Sequence, residues 1–292
     1  MKKPLFFSAT AGMLHGNKLA MRKWNWGIIW LSLVVTLTLC LTACSNQSST
    51  PKQDKVIKLG TLSTIEPFVT ALKEELVAKG YKVEVVMFDA NNMPAIATKD
   101  GNISGFIHNH LPWIETFNKE KGSQLTMMKP YLAYYRMAIY SSKHKSLDEL
   151  PKGAQIALPN DPTNLERDLL FLQELKLLTL KPKSGTFYTP LDIKENPRNI
   201  KLIETEISTT ARSINDADAV MCPATRIKAA GLDPNVFLAE DPTTKDFPVG
   251  LTVDAKSVDE PWVKDAMKIL ASDEMRAKFD KIFGGSMVLY PK

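Results

Sequence analysis

The sequence is poor in cysteine and has no acidic residue in its first 43 positions. Its three cysteines are Cys40, Cys44 and Cys222. Because we expect the first to leave with an N-terminal leader and the second to be modified, Cys222 has no partner and no internal disulfide can form. The fold must therefore be stabilised by its core, for which 44% hydrophobic residues over 292 positions is ample.

Familiar catalytic motifs are also missing. The chain contains no G-x-S-x-G, no H-E-x-x-H, no Walker P-loop and no G-x-G-x-x-G. These absences argue against a hydrolase, a metalloprotease or a nucleotide enzyme. An enzyme that lacks these motifs is still an alternative. We predict a protein that is not an enzyme and that needs neither a cofactor nor a metal.

The N-terminal segment has the layout of a bacterial lipoprotein signal. Arg22 and Lys23 precede an uncharged apolar stretch, Trp24 to Ala43, and Leu41-Thr42-Ala43-Cys44 forms a lipobox at its end. We predict that Cys44 carries the lipid and that the mature protein is held at the extracytoplasmic face of a membrane. A retained transmembrane anchor is the alternative, since 20 uncharged residues can cross a bilayer of about 30 Å.

The predicted boundaries follow from this layout. Residues 1–43 are the signal peptide, with Met21 as the expected translation start, and the polar residues 44–54 form a lipidated tether. All five basic residues of the leader are lost on cleavage, so the remainder holds 32 basic and 32 acidic residues. A near-neutral mature chain gives no reason to expect nucleic-acid binding.

Strand and helix patterns alternate from residue 55 onward. Short apolar runs predict strands, and apolar positions at helical spacing follow most of them. The predicted strands are 56–62, 81–88, 103–107, 137–141, 156–158, 201–204, 219–222 and 250–253, with helices near 65–76, 93–99, 163–175 and 260–271 and one opened by Pro112. This order predicts an α/β fold with two sheets.

The stretch from Leu158 to Arg167 combines a strand end, a turn and a helix start. Either Asp161 caps the helix, or Thr163 and Glu166 form a capping box. Both arrangements present free backbone N–H groups at a helix N-terminus, which favours a bound carboxylate, and Arg167 could add a bidentate pair. A well-capped surface helix with a solvated arginine is the alternative.

A second candidate is the segment from Ile107 to Trp113. His108 and His110 are two residues apart on a predicted strand, so their side chains share one face and could bind a metal or a polar ligand. Structural hydrogen bonding is the alternative for both. Among aromatic residues that could line a pocket we select Trp113 and Tyr131.

Residues 56–292 resemble the NlpA family of lipoproteins, best known for methionine-binding components of ABC importers. The motifs that carry the resemblance are Asp100-Gly101 leading to His110-x-Pro112, Lys145 to Leu150, Pro159 to Leu165 with Arg167, Leu191 to Ile193 with Glu195 to Pro197, Arg212-Ser213, and Ala230 to Leu232. The resemblance implies a periplasmic-binding-protein type 2 fold, with two α/β lobes joined by two crossing strands. Lobe one would comprise residues 55–136 plus 246–292, and lobe two residues 137–245.

The resemblance also implies site residues. Arg167 would hold the ligand carboxylate together with the helix start at Asn164, and His110 would hydrogen-bond the ligand. Trp113, in place of a family tyrosine, His108, in place of a phenylalanine, and Tyr131 would shape the pocket. On this basis we expect Arg167→Ala to abolish binding and leave the fold intact.

The chain also departs from the family pattern. An asparagine usual near Cys222 and Pro223 is missing, Glu166 replaces a small residue, and Thr64-Ile65 replaces Gly-Pro. An unpaired buried polar group costs about 1–3 kcal/mol, enough to change which ligand is preferred. Glu166 would add an acidic group to the pocket and His108 an extra imidazole. A ligand with an extra amine or another polar side chain is therefore an alternative to methionine.

These features together predict a lipid-anchored solute-binding protein. It would capture an amino acid, methionine or a related small zwitterion, and deliver it to the permease of an ABC importer. Its partners would be this ligand, the permease and, through the lipid, the membrane. The alternatives are a surface lipoprotein with a degenerate pocket that acts in adhesion or scaffolding, and a lipid-anchored enzyme that uses His108, His110 and Glu166 as acid and base.

Overall fold

The computed structural model describes residues 55–291 of the protein. The predicted signal peptide, the lipid site at Cys44 and the tether lie outside the described residues. Of the helices within the described range, none combines the length and the hydrophobicity that a membrane span requires.

Fourteen strands and seven α-helices make up the described chain. The strands are β1 Ile57–Thr61, β2 Val83–Met87, β3 Gly105–His110, β4 Leu125–Met127, β5 Ala133–Tyr135, β6 Met137–Tyr140, β7 Gln155–Pro159, β8 Thr179–Leu180, β9 Ile193–Glu195, β10 Lys201–Thr205, β11 Ala219–Pro223, β12 Ala239–Glu240, β13 Pro248–Asp254 and β14 Met287–Leu289. The helices are α1 Glu66–Ala78, α2 Met93–Lys99, α3 Leu111–Lys121, α4 Pro162–Glu174, α5 Ala224–Ala229, α6 Pro261–Leu270 and α7 Asp273–Phe283.

The strands form two main sheets. The first sheet has seven strands in the order β14-β5-β13-β3-β1-β2, with β4 also paired to β13, and the second has five in the order β10-β7-β11-β6-β12. In the first sheet β1 runs parallel to β2 and β3, and β13 runs antiparallel to β3. In the second, β10, β7 and β11 are parallel and β6 is antiparallel to β11. The prediction of an α/β fold with two sheets is confirmed.

Each sheet is covered by its own apolar core. Helices α1 and α7 meet over the first sheet, where the rings of Phe68 and Phe279 are 5.1 Å apart and nearly perpendicular. Both side chains are fully buried. Helix α4 covers the second sheet with Leu169 and Leu172, which pack with Ile156. Burying a side chain of this size stabilises the fold by about 1.5–3 kcal/mol, so these cores fix both sheets.

Strands β3 and β13 approach each other closely at Gly105. A Cβ atom at this position would lie 2.7 Å from the carbonyl oxygen of Thr252 and 2.8 Å from Cγ1 of Val253. Only glycine fits such an approach without a shift of the backbone. This contact fixes the register that places the end of β3 at the polar cavity described below.

The chain passes between the sheets at Arg136, which separates β5 from β6. Its guanidinium donates two hydrogen bonds of 2.7 Å to the carboxylate of Glu240 and another to the carbonyl oxygen of Gly285. The second passage lies between β12 and β13. Strands of the first sheet fall within residues 57–135 and 248–289, and those of the second within 137–240. Independent movement of these two parts as lobes stays a prediction.

Candidate functional site

A polar cavity lies between the two sheets, where β3 and β11 end. Its volume is about 30 Å³. Seven lining residues come from the side of the first sheet: Thr64, Asn91, His108, Asn109, His110, Trp113 and Tyr135. Seven come from the side of the second: Met137, Asn164, Arg167, Ile207, Pro223, Thr225 and Arg226. Five of the six residues predicted from the sequence, all except Tyr131, are therefore brought together.

His110 ends strand β3 and caps the following helix. Its Nδ1 accepts a hydrogen bond from the backbone N–H of Trp113 at 3.2 Å, so the proton lies on Nε2, which is 3.2 Å from Oδ1 of Asn164. The side chain is buried. Burial and the nearby Arg167 lower the pKa of His110 to about 3, so the ring is neutral at physiological pH.

His108 lies beside it in a second hydrogen-bonded group. Its Nε2 is 2.6 Å from Oδ1 of Asn91, and its Nδ1 lies 3.3 Å from the hydroxyl of Tyr135. Burial, with a smaller effect from Arg226, lowers the pKa of His108 to about 3. Both imidazoles are thus neutral hydrogen-bonding groups, with geometry set by protein partners.

Asn164 occupies the first turn of helix α4. Asp161 caps this helix by accepting from the backbone N–H of Asn164 at 3.2 Å, and Pro162 takes the first helical position. Of the two caps that the sequence allows, the aspartate cap forms. The Nδ2 of Asn164 also donates to both carboxylate oxygens of Asp161, so its Oδ1 is turned towards His110.

Arg167 is buried at the cavity and is already paired. Its Nε lies 2.5 Å from Oδ2 of Asp241, and its Nη2 donates to Oγ1 of Thr244 at 2.9 Å. The guanidinium also lies over the ring of Phe247, 4.0 Å from its centroid. Only 5% of Arg167 is exposed, so the alternative of a solvated surface arginine is wrong. A ligand would meet a guanidinium whose charge is largely balanced by Asp241.

Tyr131 lies away from this cavity. It lines a separate cavity with Pro130, Leu132 and Met267, and its ring is 6.5 Å from that of Tyr290. Trp113 does reach the candidate site, where its ring stacks on Phe117 at 5.3 Å. Of the two aromatic candidates, the structure places only Trp113 at the cavity.

Glu166 faces the outer side of helix α4. Its carboxylate accepts from Nζ of Lys183 and from the backbone N–H of Tyr188, both at 2.7 Å. It lines an outer groove rather than the cavity that contains His108 and His110. The expectation that Glu166 adds an acidic group to the ligand pocket is therefore wrong, because its side chain is engaged by Lys183.

Nine lining residues were not selected from the sequence, among them Asn91, Tyr135 and Arg226. Arg226 follows the predicted strand 219–222 by four residues, at the carboxyl edge of the second sheet, where ligands of α/β proteins commonly bind. This position at the edge of the sheet is the feature of the sequence that could have identified Arg226 as a site residue. Within residues 55–291, no cluster of three or more histidine, cysteine, aspartate or glutamate side chains could hold a metal ion.

The two sheets and the polar cavity between them are the architecture of a substrate-binding protein. A family model described as NlpA lipoprotein matches residues 57–289, and the chain belongs to this family. It is 36% identical over 260 residues to the D-methionine-binding lipoprotein MetQ of Escherichia coli O157:H7, which covers 86% of this chain and 93% of that protein. Lipoprotein 28 of the same organism is 33% identical over 259 residues, covering 85% of this chain and 92% of that protein.

Solved structures agree with the sequence comparison. A nutrient-binding protein from Burkholderia cenocepacia bound to methionine superimposes with a TM-score of 0.76 at 32% identity, over 80% of this chain and all of that one. The family resemblance seen in the sequence is confirmed. The MetQ and Burkholderia relatives are named as binding proteins, which agrees with the prediction that the chain is not an enzyme.

Proposed function

We propose that this protein is a lipid-anchored, extracytoplasmic solute-binding protein that delivers a small zwitterion to an ABC importer. The cavity between the two sheets is the observation that carries the proposal. Side chains from both sheets line it, so a ligand bound there would contact both at once. A ligand that contacts two parts of a fold stabilises the arrangement in which they are close, and a transporter can recognise that arrangement.

The proposed ligand is an amino acid, methionine or a related molecule. Support comes from the relatives, one named as methionine-binding and one solved with methionine bound. The buried Asn164, His110 and Arg167 supply hydrogen bonds for a zwitterion, and the ring of Trp113 supplies an apolar wall. Neutral imidazoles can accept or donate without adding charge, which suits a ligand with both signs.

Thermal denaturation with a panel of amino acids tests this function. A ligand held only by the native state raises the free energy of unfolding by about 2.7 kcal/mol at a concentration one hundred times its Kd. We expect at least one amino acid of the panel to raise the Tm of the purified protein by several degrees. If none does, the degenerate-pocket alternative replaces this proposal.

The anchor needs a separate test. We propose that residues 1–43 are removed, that Cys44 is lipidated and that residues 44–54 tether the folded part to the membrane. A Cys44→Ser variant should lose its incorporation of labelled palmitate and its processing by signal peptidase II. An unchanged electrophoretic mobility of the wild type under a signal peptidase II inhibitor would instead indicate a retained transmembrane anchor.

A further inference from the structure

The cavity contains a second guanidinium, that of Arg226 on helix α5. Arg226 is partly buried and lines the cavity on the side of the second sheet. Within residues 55–291 its guanidinium forms no ion pair and no hydrogen bond, whereas that of Arg167 is paired with Asp241. The two arginines of the cavity therefore differ: one is neutralised by the protein, and the other is available.

Carboxylates are absent from the described lining of the cavity. Glu206 lies close enough to affect the pKa of Arg226, but its carboxylate accepts from the backbone N–H of Ser208 at 2.6 Å and is not in ion-pair contact with Arg226. Both histidines of the cavity are neutral. The lining therefore carries a net positive charge that no group within it balances, and burying an unpaired charge is unfavourable.

A free acceptor lies on the opposite side. Asn109 is only 4% exposed, and its Nδ2 donates to the carbonyl oxygen of Asn91 at 3.2 Å. Its Oδ1 is buried without a donor among the described residues. Buried polar atoms in native proteins usually have partners, and Asn109 lines the cavity, so a ligand that brings a donor to this oxygen would satisfy it.

We propose that the cavity selects an amino acid with an acidic side chain, one of its two carboxylates pairing with Arg226 and its ammonium group donating to Asn109. This inference rests on the proposed function and names its ligand class. A guanidinium and a carboxylate form two parallel, charge-assisted hydrogen bonds, the strongest pairing available to either. A net negative ligand also balances the positive lining, which a neutral zwitterion such as methionine does not.

Isothermal titration of the full-length protein tests the inference with glutamate, aspartate, methionine and lysine. The variants are Arg226→Gln, Arg226→Lys, which keeps the charge, and the control Arg212→Gln, which removes an equal charge from an exposed side chain outside the lining. We expect the wild type to bind glutamate or aspartate at least tenfold tighter than methionine. Arg226→Gln should remove that preference, Arg226→Lys should keep part of it, and Arg212→Gln should keep it within threefold.

The outcomes separate the two proposals. Tightest binding of methionine or lysine by the wild type would overturn the acidic ligand and leave the amino-acid-binding function standing. A preference for acidic amino acids that survives Arg226→Gln would overturn the role of Arg226. If no panel member binds the wild type, both the ligand class and the proposed function fail. Circular dichroism of each variant confirms that a lost affinity does not reflect a lost fold.

Discussion

His110 and Asn164 join the two sheets through one hydrogen bond across the cavity. The Nε2 of His110, at the end of β3, lies 3.2 Å from Oδ1 of Asn164 in the first turn of α4. Both side chains are buried, and each is fixed by a further partner, the N–H of Trp113 for the histidine and the carboxylate of Asp161 for the asparagine. The groups proposed to meet the ligand are thus oriented by the protein itself.

The His110–Asn164 contact can be measured by a double-mutant cycle. Asn164→Ala should lower the free energy of unfolding by about 1–3 kcal/mol, because it leaves the Nε2–H of His110 buried without an acceptor. Combined with His110→Ala, the coupling energy in urea denaturation should be about 1 kcal/mol. The exposed Asn102 provides the control, and Asn102→Ala should stay within about 0.5 kcal/mol of wild type. If the stability losses of the two single variants simply add in the double variant, His110 and Asn164 are not hydrogen-bonded to each other.

The two neutral histidines make stability depend on pH. The folded pKa of His108 is about 3, against about 6.5 in the unfolded chain, so between pH 6 and 4 the unfolded state binds a proton that the folded state does not. Its contribution is therefore present above pH 6.5 and is lost as the pH falls towards 3, by about 1.4 kcal/mol per pH unit. His108→Gln should reduce the slope of the unfolding free energy against pH by about 1.4 kcal/mol per pH unit.

A control separates this effect from other titrating groups. The pKa of Asp168 is raised by burial, which opposes the histidines in the same pH range, but it contributes equally to wild type and variant. Asn102→Ala, at an exposed residue that does not titrate and lies outside the cavity lining, should leave the acid slope unchanged. Urea denaturation at pH 4, 5, 6 and 7 measures the slope of the unfolding free energy against pH for the wild type and each variant. Equal slopes for wild type and His108→Gln would show that His108 is not held neutral.

The Arg167–Asp241 pair alters the expected result of a simple mutation. Sequence reasoning expects Arg167→Ala to abolish binding without affecting the fold. In the structure this change leaves the carboxylate of Asp241, 4% exposed, without its counter-ion, so we expect a loss of about 3–5 kcal/mol in stability. Arg167→Met with Asp241→Asn should recover much of that loss. A single variant as stable as wild type would show that the pair is not buried in solution.

Gly105 should tolerate no side chain. Gly105→Ala places a methyl group 2.7 Å from the carbonyl oxygen of Thr252, which should cost about 1–3 kcal/mol through strain between β3 and β13. Gly185→Ala is the matched control, because the nearest atom to its new Cβ would be 3.6 Å away. Thermal denaturation of both variants tests this prediction. An unchanged Tm for Gly105→Ala would contradict the close approach of β3 and β13 at Gly105.

The sequence predicted the regular elements well where the apolar pattern was long. Helix α2 has the predicted bounds, and α4 starts within a residue of its predicted start, because a proline marks the first turn of each. Short strands such as β4, β5 and β14 were not predicted. Each has three residues and exists because it pairs with a neighbour distant in sequence, which no local pattern reveals.

The sequence predicted which residues form the candidate site better than it predicted the contacts between those residues. Motifs identified Arg167 and His110, but the partner of Arg167 is Asp241, 74 residues further along the chain. The two residues come together only in the folded protein, so no local sequence pattern reveals their contact. Tyr131 was selected for being aromatic, and Arg226 was overlooked because a lone arginine after a strand resembles any surface charge.

The matched pair Trp113→Ala and Tyr131→Ala tests most directly whether the cavity between the sheets is the binding site. Both changes truncate a partly buried aromatic side chain, but only Trp113 lines that cavity, while Tyr131 lines another. In isothermal titration with the tightest amino acid of the panel, Trp113→Ala should weaken binding at least tenfold and Tyr131→Ala less than threefold. Full affinity in Trp113→Ala together with a large loss in Tyr131→Ala would contradict the assignment.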